Sequence, residues 1–86
     1  MEFTAEIDIM PLDALLDPQG KAVTASMKNL GLEAITNVRI GKHISLKVSA
    51  DSKEEAEKKV DMACKKLLAN QIMERFEFHL EEVEVV

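Results

Sequence analysis

Residues 36–50 read TNVRIGKHISLKVSA, and the strand count of the whole chain turns on them. Val38 and Ile40 alternate with polar neighbours, as do Ile44, Leu46, Val48 and Ala50. Period-two alternation is the mark of a half-buried strand. All six positions are even, so the connection decides whether the two rows share a face. A two-residue turn at Gly41-Lys42 pairs Ile40 with His43 and sends the rows to opposite faces. A three-residue loop or bulge over Gly41, Lys42 and His43 pairs Ile40 with Ile44 and Val38 with Leu46. The second register keeps one face apolar, and it predicts two strands joined by a hairpin.

Upstream, EFTAEIDIM alternates as well: Phe3, Ala5, Ile7 and Ile9 oppose Thr4, Glu6 and Asp8. Pro11 ends that strand by removing a ladder donor. Between the strands lies LLDPQGKAV, residues 15–23. Asp17 can accept from the free N–H groups of a helix start, and Pro18 falls where a missing N–H costs nothing. Val23, Met27 and Leu30 then recur at helical spacing, and Gly31 supplies the left-handed stop. Gly20 in the first turn is anomalous, since glycine costs up to about 1 kcal/mol against alanine in a helix interior. Either its terminal position softens that cost or another backbone comes close.

Downstream, DSKEEAEKKVDMACKKLLAN is a second helix. Ser52 and Glu55 make a capping-box pattern. Ala56, Val60, Ala63, Cys64, Leu67 and Leu68 form one apolar face, early acids and late lysines suit the helix dipole, and Asn70 can take the left-handed closing position. A last strand puts Ile72, Phe76, Phe78 and Leu80 on one side and Met73, Arg75, Glu77 and His79 on the other. Val83, Val85 and Val86 change parity, which predicts a bulge, a break or a tail docked on another chain.

The order β-α-β-β-α-β places the chain in the α+β class. It predicts a ferredoxin-like plait: a four-stranded antiparallel sheet, order 4-1-3-2, with two helices on one face. The 86 residues make a single domain, 1–86. A chain of this length buries only about 60–65 % of its unfolded surface, and small cores of this kind are often completed by a partner chain. A net charge of −5 argues against nucleic acid as a partner. No apolar run reaches membrane-spanning length, the acidic N-terminus does not resemble a secretion signal, and a lone cysteine fits a reducing cytoplasm.

Chemistry is sparse. DPQGK lacks the spacing of a phosphate loop, so a capped helix start is the stronger reading. Cys64 lies mid-helix on the apolar face with no base aimed at it and reads as a core residue. His43 and His79 stand apart from each other and from the cysteine, with no zinc spacing. His43 is expected in a loop or at a strand edge, His79 on a polar strand face. The helix-free sheet face is expected to be acidic along Glu6, Asp8, Glu77 and Glu81 and basic at Lys47 and Arg39. That pattern suits a solvated face, or a two-fold dimer with acidic halves over basic halves.

Three stretches, LLDPQGKAV, LGLEAITNVRIGKHISL and CKKLLANQIMERFEF, resemble the PurS family. These are the small subunits of the multi-subunit phosphoribosylformylglycinamidine synthase of purine biosynthesis. Asp17, Pro18, Gln19, Gly20, Ala22 and Val23 match the first family motif. Leu30-Gly31, Val38, Arg39, Gly41, Lys42 and Ile44 match the middle, and Cys64, Lys66 to Asn70 and Glu74 the last. Departures are Ala14-Leu15 for Gly-Val, Leu32 for a common tyrosine, Asn37 for Asp, and residues 71–73 for Pro-Val-Ile. The resemblance implies a non-catalytic assembly subunit that binds no cofactor or metal itself and bridges a large synthetase subunit and a glutaminase subunit, helping ammonia transfer. It implies a homo-dimer or tetramer within a cytoplasmic complex that uses ATP, magnesium and glutamine. Contact surfaces are then expected at Asp17, Pro18, Gln19, Gly20, Lys21, Arg39, Gly41 and Lys42, with Gly20 admitting a partner backbone. The competing reading is a regulatory ferredoxin-like oligomer that senses a small molecule.

Overall fold

The structure is a computed structural model that describes residues 1–83; the parity change at Val85 and Val86 lies outside them. Its elements are β1 (Glu2–Pro11), α1 (Pro18–Asn29), β2 (Lys42–Ser49), α2 (Lys53–Ala63) and β3 (Glu74–Glu82). A π-helical turn over Cys64–Leu68 follows α2 directly.

The sheet has three strands, in the order β2-β1-β3, both pairings antiparallel. β1 takes the middle because its apolar row is complete: Phe3, Ala5, Ile7 and Ile9 are all essentially inaccessible. Across it, Ile7 stands opposite Ile44 and Phe78, and Ala5 opposite Leu46 and Leu80. The predicted order 4-1-3 survives, but the fourth strand, around Val38 and Ile40, does not form. Residues 35–41 lie outside both helix and sheet, with Asn37 at φ +55°. Val38 N–H donates to Thr24 Oγ1 (3.2 Å) and Ile40 N–H to Asp17 Oδ2 (2.8 Å). Side chains of α1 and its cap thus take donors that a hairpin ladder would have used. The pairing of Ile40 with Ile44 and of Val38 with Leu46 is absent, and Lys42 instead faces Ile9 of β1.

α2 covers the sheet. Ser52 Oγ accepts from Glu55 N–H (3.1 Å), and Glu55 reaches back to Asp51 N–H (3.2 Å), one residue before the expected partner. Ala56, Val60 and Cys64 are buried against Phe3, Ala5, Ile7 and Leu80. Each fully buried Val, Ile or Phe side chain contributes roughly 1.5–3 kcal/mol. The π-helical turn, with Ala69 N–H donating to Cys64 O (2.9 Å), widens the last turn and rotates the stripe. Leu67, expected on the apolar face, is therefore 82 % exposed, and Ala69 is buried instead. Asn70 does not take a left-handed conformation; its Oδ1 accepts from Ile72 N–H (3.1 Å) and organises the turn into β3. Ile72 sits in that turn, exposed, rather than on β3.

α1 forms where predicted and stops at Gly31, φ +77°. It does not lie on the sheet: the packed interfaces join α2 to all three strands, and α1 takes part in none. The chain is accordingly elongated, 51 × 32 × 14 Å, with a radius of gyration of 16.9 Å. A compact chain of this length would have about 12 Å. The fold is α+β with two helices, but only one covers the sheet, and neither the fourth strand nor the plait forms.

Candidate functional site

The residues singled out in LLDPQGKAV and in residues 39–42 do come together, at the base of the α1 arm. Asp17 is their hub, with 9 % of its surface exposed. Its Oδ1 accepts from Gly20 N–H (3.0 Å) and its Oδ2 from Ile40 N–H (2.8 Å). The Gly20 N–H, then the Ile40 N–H, then the nearby Arg39 guanidinium (3.9 Å) hold its carboxyl below the ordinary range. A helix N-terminus attracts anions, but this one is already occupied by its own chain's carboxylate. The phosphate-cradle reading has no free donors to draw on there.

Gly20 is buried because the segment around Val38 crosses it; a Cβ would overlap the Val38 carbonyl oxygen and the Asp17 carboxylate. The approaching backbone is the chain's own, at Val38. Thr24 completes the seam, donating to Gly20 O (2.8 Å) while accepting from Val38 N–H. Nothing in the periodicity marked Thr24; its spacing of four from Gly20 is visible only once a helix is assumed. Asn37, with φ +55°, provides the bend before the seam.

Arg39 does not stand on the helix-free sheet face. Its guanidinium donates to Leu12 O (2.9 Å) and Leu15 O (3.3 Å), tying the segment to the linker between β1 and α1. Gly41 is likewise excluded from a side chain by Met10 and the Ile9 carbonyl. Lys42 reaches Glu74 at 3.8 Å. Of the expected contact residues, Asp17, Gly20, Arg39 and Gly41 make close intrachain contacts, and Pro18, Gln19, Lys21, Gly41 and Lys42 are exposed. Beside them runs a groove of about 620 Å³ between α1 and residues 33–39, walled by Leu15, Leu16, Ile35 and Val38 with Lys21 and Lys28 on its rim.

Elsewhere, Cys64 is buried and burial raises its thiol pKa, so it lacks the thiolate a nucleophile needs. Among the described residues no three His, Cys, Asp or Glu side chains are grouped to hold a metal ion. The helix-free face carries Glu6, Asp8, His43, Ser45, Lys47, Glu77, His79 and Glu81, with β1 between the other two strands. His43 is on this face, near the start of the edge strand β2, which meets the strand-edge alternative and not the loop. Losing Arg39 leaves the β2 half with less positive charge than expected.

Comparison with known proteins points one way. The family model described as PurS, phosphoribosylformylglycinamidine (FGAM) synthase, matches residues 4–82. The chain is 37 % identical over 71 residues to the phosphoribosylformylglycinamidine synthase subunit PurS of Synechocystis, covering 83 % of this chain and 71 % of that one. It is 35 % identical to the Bacillus subtilis subunit of the same name, covering 83 % of each. Among solved structures, Thermus thermophilus PurS superposes with a TM-score of 0.82 at 35 % identity, covering 98 % of this chain and 100 % of that one. A chain in the structure of PurLQS from Thermotoga maritima superposes with a TM-score of 0.86 at 30 % identity, covering 94 % and 99 %.

Proposed function

This chain belongs to the PurS family of phosphoribosylformylglycinamidine synthase subunits, and from that membership we propose how its shape serves the complex. It is a subunit of a ligase of purine biosynthesis, and it works with the PurL and PurQ subunits. Its role is assembly: it holds the large synthetase subunit and the glutaminase subunit together and helps ammonia pass between them. ATP, magnesium and glutamine are handled by those larger subunits, in the cytoplasm.

The observation that carries this reading is the α1 arm. Polar contacts through Asp17, Thr24 and Arg39 hold it off the sheet, so its conformation does not depend on packing there. The arm presents Pro18, Gln19 and Lys21 outward, with Lys42 at its base. Met27 and Val23 are only half-buried and Leu30 is 72 % exposed. On the sheet, Ile44, Leu46, Val48, Phe76 and Phe78 are also only partly covered by α2. Two incomplete apolar faces in one small chain support a homo-oligomer, dimer or tetramer, in which a second copy completes what this one leaves open.

Reconstitution tests the role: glutamine-dependent synthesis by the two larger subunits should require this chain, while their ammonia-dependent synthesis should need it less. Equal glutamine-dependent rates without it would overturn the reading. Gln19→Glu combined with Lys21→Glu should weaken co-purification with the larger subunits and leave the isolated fold intact. Full complex formation by that variant would remove the arm's outer edge from the interface.

A further inference from the structure

Glu6 and Asp8 lie two residues apart on the helix-free face of β1, and one side chain bridges them. His43 Nδ1 is 2.7 Å from Asp8 Oδ1, and His43 Nε2 is 2.6 Å from Glu6 Oε2. A neutral imidazole has one N–H and one lone pair, so it can satisfy one carboxylate and must aim its lone pair at the other. Only the doubly protonated ring donates to both. We propose that protonated His43 is a clasp between β1 and β2, which makes the helix-free face sensitive to pH. The clasp rests on this chain's own geometry and does not depend on its place in the complex.

The surrounding charges leave the ring this role. Ser45, next on the same face of β2, donates to Glu6 Oε1 (3.0 Å). Farther along β2, Lys47 stands opposite Thr4, and Lys42 turns to Glu74. On β3, His79 faces Glu6 and Glu77 faces Asp8; His79 reaches Glu81 (3.2 Å), and Arg75 lies 3.9 Å from Glu77. Among the described residues no helix packs on this face. Among the described residues no lysine or arginine forms an ion pair with Glu6 or Asp8. If His43 loses its proton, two neighbouring carboxylates lose their shared cation.

The sign follows from both partners. Hydrogen bonds that the ring donates to Asp8, then to Glu6, raise the His43 pKa above 6.5. Its contribution to stability is full below that value and lost as pH rises through the higher folded value. The hydrogen bond from His43, then that from Ser45, lowers the Glu6 pKa below 4.5. That contribution is present above 4.5 and lost as pH falls through the lower folded value. The clasp is therefore closed in a window bounded by Glu6 on the acid side and His43 on the alkaline side. Ring and carboxylates are substantially exposed, so salt should weaken it.

Imidazole ¹⁵N NMR of the full chain tests it. Below the His43 midpoint both ring nitrogens should carry protons, and that midpoint should fall towards 6.5, its ordinary value, in the E6Q/D8N variant. A midpoint unmoved by that variant overturns the clasp. Urea unfolding gives a second readout that does not need the double variant to fold. Between about pH 6 and pH 9, spanning the histidine range, the wild-type urea midpoint should fall further than that of His43→Gln. Equal falls would show that His43 contributes nothing to the pH dependence.

Discussion

α1 and α2 are both amphipathic, yet they end in different surroundings. α2 presses Ala56 and Val60 into the sheet, and Cys64 in the turn beyond it is equally inaccessible. α1 buries only Gly20, and its position is fixed by Asp17, Thr24 and Arg39 rather than by apolar contact. A periodic stripe says that a face calls for cover; it does not say what covers it. One half of this molecule is a packed core, and the other is an arm set by hydrogen bonds. The two halves should respond differently to substitution.

The largest effect should come from the packed half. Ile7 is fully inaccessible in the central strand, so Ile7→Ala should cost about 2–5 kcal/mol, measured by urea unfolding. A loss below about 1 kcal/mol would mean that the sheet–α2 interface is not the stable part. On the arm, Gly20→Ala should cost about 1–3 kcal/mol, because a Cβ must displace the Val38 carbonyl. That loss should be accompanied by the Val38 and Ile40 amides becoming fast in hydrogen exchange, while β1 stays protected. Acid should probe the same seam. Since the Asp17 pKa is lowered, its contribution is present above 3.8 and lost as pH falls through the lower folded value. Asp17→Asn should flatten that acid limb.

The contrast also explains what could be read from residues alone. β1, β2, β3 and both helices were legible because each announces itself locally: alternation in Phe3 to Ile9, a cap at Asp17, a capping box at Ser52. Residues 36–40 were not. Val38 and Ile40 alternate as a strand would, but alternation reports extended backbone, and it cannot report where the N–H groups find acceptors. Here the acceptors are Asp17 Oδ2 and Thr24 Oγ1, more than a dozen positions away. The same limit applied to the contact residues. Asp17, Gly20 and Arg39 were visible as a motif, and their intrachain bonding was not. Leu67 was misplaced for another reason: a single π-helical turn rotates the face, and periodicity assumes a constant pitch.

Gly31 offers a smaller, cleaner measurement. Nothing lies within 4 Å of a Cβ placed there, so Gly31→Ala meets only the backbone penalty of φ +77°. It should cost about 1 kcal/mol. Because the arm is not packed on the sheet, that cost should appear as fraying of α1 rather than as a loss of sheet stability. An equal loss in both would show that the halves unfold together.

The smallest effects carry the comparison furthest. Leu67 on the sheet side and Leu30 on the arm are 82 % and 72 % exposed. Replacing either by serine should change the stability of the dilute, monomeric chain by no more than about 0.5 kcal/mol. If a second copy covers one of these faces, the corresponding variant alone should fail to gain the stability that wild type gains as concentration rises, since association adds to apparent stability only where the contact exists. A concentration-dependent deficit in Leu30→Ser and none in Leu67→Ser would assign the cover to the arm. The reverse would assign it to the end of α2. Identical behaviour of both variants with wild type, from dilute to concentrated, would remove these two leucines from any self-association surface.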